Sequence, residues 1–579
     1  MSNNKNNGID GSIFRSDNIE GDVSRAFMQG AGFSNEMLKT RRVIGICTSW
    51  SEVNPCNINL RSISESVKRG ILAAGGVPVE FPTISIHEQL NNPSSLILRN
   101  LMAMDVEEMI QRSPIDGVVL LNGCDKTVPA QIMGAISAGK PTISLSAGPR
   151  NTSKCGGKVM TIHDLWSKKD ERQKGEVTDQ EWEKFISELI PSAGTCNVMG
   201  TASTMSSIVE SLGLALPGSS FLPATSAGRQ RIAEETGRIA VQLTEAKRTP
   251  DQIVTEKSLE NAFRVVCAIG GSTNAVLHLE AIAGRLGIRI GVERFNKWSE
   301  TTPQLVAVSP AGPYLLEDFN EAGGIPALVK RLSPKMHLDT INVKGETWAE
   351  AIGEVTEFNS PVLRSLENPI NDAGGLAILQ GSLAPKGAVF KRAAAPRELW
   401  RHSGPALVFD GLDDMNKRID DPNLPVESNS VLVLRGLGPI GGPGMPESAK
   451  IPIPRRLWDQ GVRDMLRISD GRMSGTADGA VVLHVSPESA IGGPLALVKD
   501  GDIIKLDAVE CRLDLLVNEE ELEERRKTLV LPESPSRGYD WLYHQHVTQA
   551  NEGADFDFLL DSNLPRTSLS TSKKDNKKT

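Results

Sequence analysis

Cys124, Asp125 and Lys126 follow one another in the run VVLLNGCDKTVPA, so a soft thiolate, a hard carboxylate and an amine leave the end of one apolar strand together. Thiolates select iron–sulfur clusters, zinc or copper(I), whereas carboxylates select magnesium, calcium or manganese. Adjacent residues of opposite preference point to two different metals sharing one pocket. The competing reading is a loop holding a buried cysteine, a residue type commonly buried, beside a solvated ion pair.

Two further cysteines share this local style. Cys56 in SWSEVNPCNINL and Cys196 in SAGTCNVMGTASTMS lie among small, turn-forming residues whose amides can approach a cluster sulfide. Cys47, Cys267 and Cys511 instead end or lie within apolar elements, as core cysteines do, and Cys155 sits in a Gly/Lys loop as a weaker candidate ligand. An odd set of seven with no CxxC pair forms neither a disulfide framework nor a zinc ribbon, and it points to a reducing compartment. Three ligands rather than four leave one cluster iron open as a Lewis acid; three unrelated structural thiols are the alternative. The hard-metal candidates are Glu88 in SIHEQL, Asp125, and Glu447 in GGPGMPES. Magnesium takes only a few protein oxygens and leaves room for substrate. The run GLGPIGGPGMPE matches neither the dinucleotide fingerprint nor the P-loop, so phosphate binding there has weak support.

Ser474, in RISDGRMSGTADG, offers a nucleophile or a base on a Gly-rich turn. The hydrolase pattern GxSxG is broken because Arg472 lies two residues before it, and an ordinary turn serine is the alternative. Ser272, Thr273 and Asn274, in IGGSTNAVLHL, open a helix whose amides and hydroxyls suit a substrate carboxylate. The plainer reading there is an ordinary N-cap.

These residues need elements to hold them. RVIGIC (42–47), VPVEF (77–81), GVVLLNG (117–123) and PTISLS (141–146) read as strands, with helices at 61–74, 96–111 and 130–138 between them. This rhythm predicts βαβ units and a parallel sheet, whose ligands bind beyond the carboxyl ends of the strands. Cys56, Glu88 and Cys124 each fall shortly after a predicted strand. Residues 203–214, 228–247, 258–267 and 274–286 read as helices, and 290–380 as a looser region. Beyond about residue 385, short strands such as ALVFDG, SVLVLRG, AVVLHVS, DIIKLD and RLDLLV alternate with turns, which predicts a β-barrel or sandwich followed by a charged helix at 518–527. The expected organisation is a flexible N-terminus (1–25), an α/β domain bearing the cluster and metal site (26–385), a β-barrel-like domain with Ser474 (386–560) and a disordered basic tail (561–579).

At 579 residues the chain calls for two or three domains. A dispersed net charge of −9 argues against nucleic acid and anionic membrane as partners. No apolar run is long enough to span a bilayer, and MSNNKNNGIDGSIF lacks the core of a signal peptide. A cytoplasmic protein is expected.

Taken together, CDKTVPAQIMG, GTCNVMGTASTM, IGGSTNA, GGPGMPE and SDGRMSGT resemble, in order, the family of dihydroxy-acid, 6-phosphogluconate and sugar-acid (aldonate) dehydratases over roughly residues 25 to 530. The resemblance is nearer the aldonate branch, from which His87 and Asp478 depart, Gly and Tyr being common there. It implies an iron–sulfur cluster on Cys56, Cys124 and Cys196, a 2Fe–2S centre ahead of a 4Fe–4S one. It further implies magnesium on Glu88, Asp125 and Glu447, with Lys126 carbamylated as a further ligand, Ser474 as an alkoxide base, and Ser272, Thr273, Asn274 and Thr476 facing substrate. The reaction implied is dehydration of a 2,3-dihydroxy sugar acid to a 2-keto-3-deoxy acid in a homodimer or homotetramer. The alternatives are a dihydroxy-acid dehydratase acting on 2,3-dihydroxy-isovalerate, and a non-catalytic iron–sulfur sensor.

Overall fold

Four strands in the first half carry apolar residues at nearly every position, as strands covered on both faces must. They are β1 (Val43–Thr48), β2 (Val77–Pro82), β3 (Gly117–Asn122) and β4 (Thr142–Ser146), all parallel in the order β2-β1-β3-β4. β1, β3 and β4 are buried throughout, whereas β2, at the edge, is only partly covered. The computed structural model describes residues 9–560 apart from 156, 357–359 and 477, so the expected tail at 561–579 lies outside the described residues. Residues 11–25, which the sequence left without an element, include a short 3-10 turn and the start of helix α1 (Ile19–Gly30), with Phe14 and Arg25 buried.

The chain passes from β1 to β2 on one side and returns to β3 on the other. β1 and β3 therefore flank the topological switch point, where open α/β sheets bind ligands. Helices α2 (Leu60–Ala73), α3 (Leu96–Arg112), α4 (Thr127–Ala138), α5 (Thr201–Ser211), α6 (Ala227–Glu245), α7 (Glu256–Ile269) and α8 (Asn274–Gly284) surround the sheet. α2 and α6 cross backbone to backbone: a Cβ at Gly70 would lie 1.8 Å from the Glu234 carbonyl oxygen, and one at Gly237 would lie 2.1 Å from that of Val67. α5 is buried along its whole length despite its serines and threonines. Its hydroxyls bond back to carbonyls one turn earlier, Thr204 to Gly200, Ser207 to Ser203 and Ser211 to Ser207, so none needs water. The stretch 290–380, expected to be looser, contains the helices Gly291–Glu300, Leu316–Glu321 and Gly324–Arg331. They are short and separated by Gly and Pro turns, too brief to show clear periodicity.

After a small hairpin of β5 (Ser153–Cys155) and β6 (Lys158–Met160), the remaining strands form one eight-stranded sheet in the second half. These are β7 (Ala377–Leu379), β8 (Gly387–Phe390), β9 (Arg401–Asp410), β10 (Val431–Arg435), β11 (Arg467–Ser469), β12 (Val481–Ser486), β13 (Ile503–Asp507) and β14 (Arg512–Leu515), in the order β14-β13-β9-β10-β11-β12-β8-β7. The four central strands run parallel and the flanking ones antiparallel. A bridge between Gln380 and Arg512 brings the two ends of this order together, so the sheet nearly closes into the expected barrel-like form around Leu379, Phe390, Val433, Ile468, Val482 and Leu513. The chain then returns to the first half. Helix α9 (Gly538–His546) and the segment after it pack Tyr543, Val547 and Phe556 against Leu96, Ile97 and Leu277. Arg99 donates to the carbonyls of Gly553 and Ala554, and Arg285 holds Asp555 through two bonds of 2.7 and 3.0 Å, both side chains fully buried. Among the described residues no helix is long and apolar enough to cross a membrane.

Candidate metal centre and active site

The loops at the carboxyl ends of β1, β2 and β3 meet over the switch point and are stitched to one another by asparagines. Asn57 accepts from the Cys124 amide at 3.0 Å while its own amide group donates to Ser49, fixing the Cys56 turn beside the Cys124 turn. Gly123 permits this approach, since a Cβ there would lie 2.5 Å from Asn57 Oδ1. Asn54 donates to Ser85 Oγ at 3.0 Å and to the Ile86 carbonyl at 2.9 Å, tying the same turn to the segment carrying His87 and Glu88.

Two donor groups result. The sulfurs of Cys56 and Cys124 and a ring nitrogen of His87 lie within 4.8 Å of one another, and so do carboxylate oxygens of Glu88, Asp125 and Glu447. The Cys124 thiol is pushed well up by its hydrogen bond with Cys56 and by burial, while the Glu88 amide bonds to its sulfur and works the other way. Cys196 lies outside the tight thiol group but within electrostatic reach of Cys124, Asp125 and Glu447; burial raises its pKa and Arg150 opposes the rise. A parallel bridge between Pro149 and Thr195 sets Arg150 and Cys196 side by side. Cys47 and Cys267 are fully buried in the main core, Cys511 lies in the barrel core, and the Cys155 thiol faces Glu188.

Lys126 projects into the carboxylate group. Its Nζ, fully buried, lies 2.9 Å from Glu88, 3.5 Å from Glu447 and 3.9 Å from Asp125. Arg472, also fully buried, closes the other side, 2.7 Å from Glu447 and 3.4 Å from Glu88. Burial alone would raise the Glu88 pKa, yet Lys126 and Arg472 overcome it and hold the group at about 2. Asp125 is raised to about 6, mainly by burial, with Glu447 and Glu88 adding to it against the pull of Lys126. Glu447 keeps one carboxylate oxygen, Oε2, buried and without a hydrogen-bond partner. Three converging carboxylates with an unpartnered oxygen fit a hard cation, whose octahedral donors must lie within roughly 4 Å of each other at bonds near 2 Å.

The loop carrying Glu447 is locked from behind. Ser94 Oγ donates to the Gly444 carbonyl at 2.6 Å, and Arg472 Nε to that of Met445 at 2.8 Å. Gly444 has φ +77°, and a Cβ there would meet the Ile97 amide at 2.5 Å, so glycine is required twice over. Fully buried Glu488 accepts from the Ile440 and Gly441 amides and from Gln549.

An antiparallel bridge between Ser448 and Met473 places Ser474 in register with Glu447. Ser474 Oγ shares a 2.8 Å hydrogen bond with Thr476 Oγ1 and accepts from the Thr476 amide at 3.3 Å. The turn presses on the start of α5 and on the Ser272 turn: a Cβ at Gly475 would lie 2.7 Å from Ser272 Cβ and 2.9 Å from the Thr201 amide, and Thr476 touches Gly200. Asn274 donates to Glu447 at 2.8 Å and to Thr201 at 3.0 Å, while Ser272 and Thr201 share a hydrogen bond. Thr273 makes no side-chain cap, and Thr273 Oγ1 and Asn274 Oδ1 are buried without partners. Ser272 Oγ accepts from the Asn274 amide at 3.2 Å, so Ser272 supplies the helix cap while Thr273 and Asn274 keep polar atoms without partners.

Four neighbours escaped the sequence reading as site residues. Arg472 appeared only as the residue that breaks GxSxG, although a lone arginine between a strand and a Gly turn was the available signal. Lys391 is fully buried, donates to the Gly475 carbonyl at 2.6 Å, and is pushed down to about 8 by burial against the pull of Asp478. Arg150, almost fully buried, has Nε and Nη2 without partners beside Cys196. His87 was noted only as a departure; burial lowers its pKa while Asp125 and Glu88 oppose the shift. Asp478, the other departure, pairs with Lys450 at the surface.

Family models for the N-terminal and C-terminal parts of dihydroxy-acid/6-phosphogluconate dehydratase match residues 41–351 and 361–554. A 6-deoxy-6-sulfo-D-gluconate dehydratase of Pseudomonas putida is 44% identical, covering 94% of this chain and 95% of its own. An L-arabinonate dehydratase of Rhizobium leguminosarum is 43% identical over 92% and 93% of the two chains. An L-arabonate dehydratase of Azospirillum brasilense is 43% identical over 94% and 96%.

Proposed function

From the premise that this chain belongs to the dihydroxy-acid/6-phosphogluconate dehydratase family, and is thus a hydro-lyase acting on 2,3-dihydroxy acids, we propose that its substrate is a sugar acid such as a pentonate or hexonate, converted to the 2-keto-3-deoxy acid. The observation carrying this reading is the convergence of a thiol group, a carboxylate group and Ser474 at one switch point, bordered by unpartnered polar atoms. A polyhydroxylated chain needs such atoms; a branched alkyl chain would need an apolar wall in their place.

In this reading Cys56, Cys124 and Cys196 hold an iron–sulfur cluster, and Glu88, Asp125 and Glu447 hold magnesium, with Lys126 joining them as a carbamate. Cys56 and Cys124 sulfurs lie within 4.8 Å of each other while Cys196 stands outside that group, an uneven spacing that supports a 2Fe–2S centre ahead of a 4Fe–4S one. When bound, the two metal groups supply Lewis acidity toward the substrate carboxylate and hydroxyls. Ser474, as the alkoxide, takes the proton from C2, helped by the Thr476 amide at its oxygen and by the Lys391 ammonium behind the adjacent carbonyl; the C3–O bond breaks and the 3-hydroxyl takes up that proton to leave as water. Thr273 and Asn274 orient the hydroxylated chain from the start of α8. Arg472 holds Glu88 and Glu447 in place through its two ion pairs. The enol released from this site tautomerises to the keto acid. The protein acts on a small molecule and is expected to assemble as a homodimer or homotetramer in the cytoplasm.

The test is a substrate screen of the anaerobically reconstituted protein, with the 2-keto product detected directly. Turnover of aldonates is the expected result. Turnover of 2,3-dihydroxy-isovalerate alone would replace the sugar-acid reading with the branched-chain one, and a cluster-loaded protein inactive on every 2,3-dihydroxy acid would favour a sensor.

A further inference from the structure

The turn after β2 delivers more than Glu88. A ring nitrogen of His87 stands within 4.8 Å of both Cys56 Sγ and Cys124 Sγ. The ring cannot swing freely. The His87 backbone amide donates to Asn91 Oδ1 at 2.6 Å, and His87 Nδ1 accepts from the Gln89 amide at 3.2 Å. A neutral imidazole has one proton, and with Nδ1 accepting, that proton belongs on Nε2. The side chain therefore carries its one N–H at Nε2.

We propose that His87 donates its Nε2–H to the sulfur of the Cys56–Cys124 pair when those thiolates hold the cluster, and that it thereby sets the cluster's reduction potential and Lewis acidity. The proposal rests on the cluster assignment made above. Hydrogen bonds to cluster sulfurs withdraw negative charge from them, and such bonds are among the chief determinants of potential. Direct ligation by the same ring is disfavoured: binding iron through Nε2 would move the proton to Nδ1, where it would face the Gln89 N–H. His87 is thus a positioning and tuning residue, and the cluster's open coordination site stays open.

The experiment compares anaerobically loaded wild type, H87A and H87Q at matched iron and sulfide content, reading the midpoint potential by EPR-monitored titration. Glutamine places an amide N–H near the position of Nε2. The expected result is a lower potential in H87A and recovery toward wild type in H87Q. A second reading needs no variant: in wild type, exchange into D2O removes a proton coupling from the reduced cluster, and 15N-histidine labelling gives only a weak coupling. An unchanged potential in H87A, or a strong nitrogen coupling of the kind direct ligation gives, overturns the proposal alone. A wild-type protein that assembles no cluster overturns the cluster assignment together with it.

Discussion

Gly475→Ala is the sharpest single perturbation of the turn that carries Ser474, the proposed base. The added methyl would lie 2.7 Å from Ser272 Cβ, 2.8 Å from Ser272 Oγ and 2.9 Å from the Thr201 backbone nitrogen. Comfortable carbon contacts lie at about 3.5–4.0 Å, so roughly 1 Å must be found. Thr201 opens the fully buried α5 and Ser272 is bonded to Thr201 and Asn274, so neither neighbour yields readily. The turn itself must move, carrying Ser474 away from its place opposite Glu447 and straining the Lys391 bond to the Gly475 carbonyl. Overpacking of this kind costs about 1–3 kcal/mol, and a displacement of about 1 Å at a reacting group costs about 100-fold in rate. Steady-state kinetics of the loaded variant should show that loss in kcat with KM changed far less, and thermal unfolding should show a folded but less stable protein. Gly30→Ala is the control, since a Cβ there meets nothing within 4 Å. Wild-type kcat in a folded Gly475→Ala protein would refute the placement of Ser474 at the reacting carbon.

Arg472→Met removes a buried cation from between Glu88 and Glu447, and should destabilise the metal-free protein by about 3–5 kcal/mol. Magnesium should then raise its melting temperature more than it raises that of wild type; an equal rise argues against a cation site there. Asp555→Ala removes two charge-assisted bonds to Arg285 and leaves it only Glu107 at 3.2 Å as a carboxylate partner; it should cost about 1.5–3 kcal/mol in denaturant unfolding, whereas a loss below about 1 kcal/mol would mean the pair does not anchor the returning segment. Glu488 has a folded pKa of about 7 against 4.5 for the free group, raised chiefly by burial and by Asp470. The folded state therefore holds its proton more tightly: the stabilisation is complete below pH 4.5 and is lost as pH rises to about 7, a change on the order of 3 kcal/mol. Glu488→Gln should flatten that part of the stability–pH curve, and an unaltered curve would remove Glu488 as its source.

The strands of the first half were legible because burial on both faces writes an uninterrupted apolar run, and VIGICT and GVVLLN need no partner to be recognised. The barrel-like sheet was legible as strands but not in its directions, since an apolar run such as VLVLR reads the same in a parallel or an antiparallel pair. The thiol and carboxylate candidates could be named because soft and hard ligands adjoin at Cys124 and Asp125. What joined Glu447 to Ser474 was a bridge between Ser448 and Met473, and no local pattern announces such a pairing. Arg472 and Lys391 were hidden for a related reason. Their significance lies in being buried against particular partners, Glu447 and the Gly475 carbonyl, which only the packed chain reveals.

The division of donors between the two halves has a consequence for biosynthesis. Cys56, Cys124 and Cys196 all leave the ribosome early, whereas the oxygen cage is completed only when Glu447 arrives and Arg472 reaches back across 384 residues to Glu88. A nascent chain halted between these points displays every sulfur donor and an unfinished set of oxygen donors. On the proposed assignment, synthesis separates in time two kinds of metal loading that the finished protein places side by side.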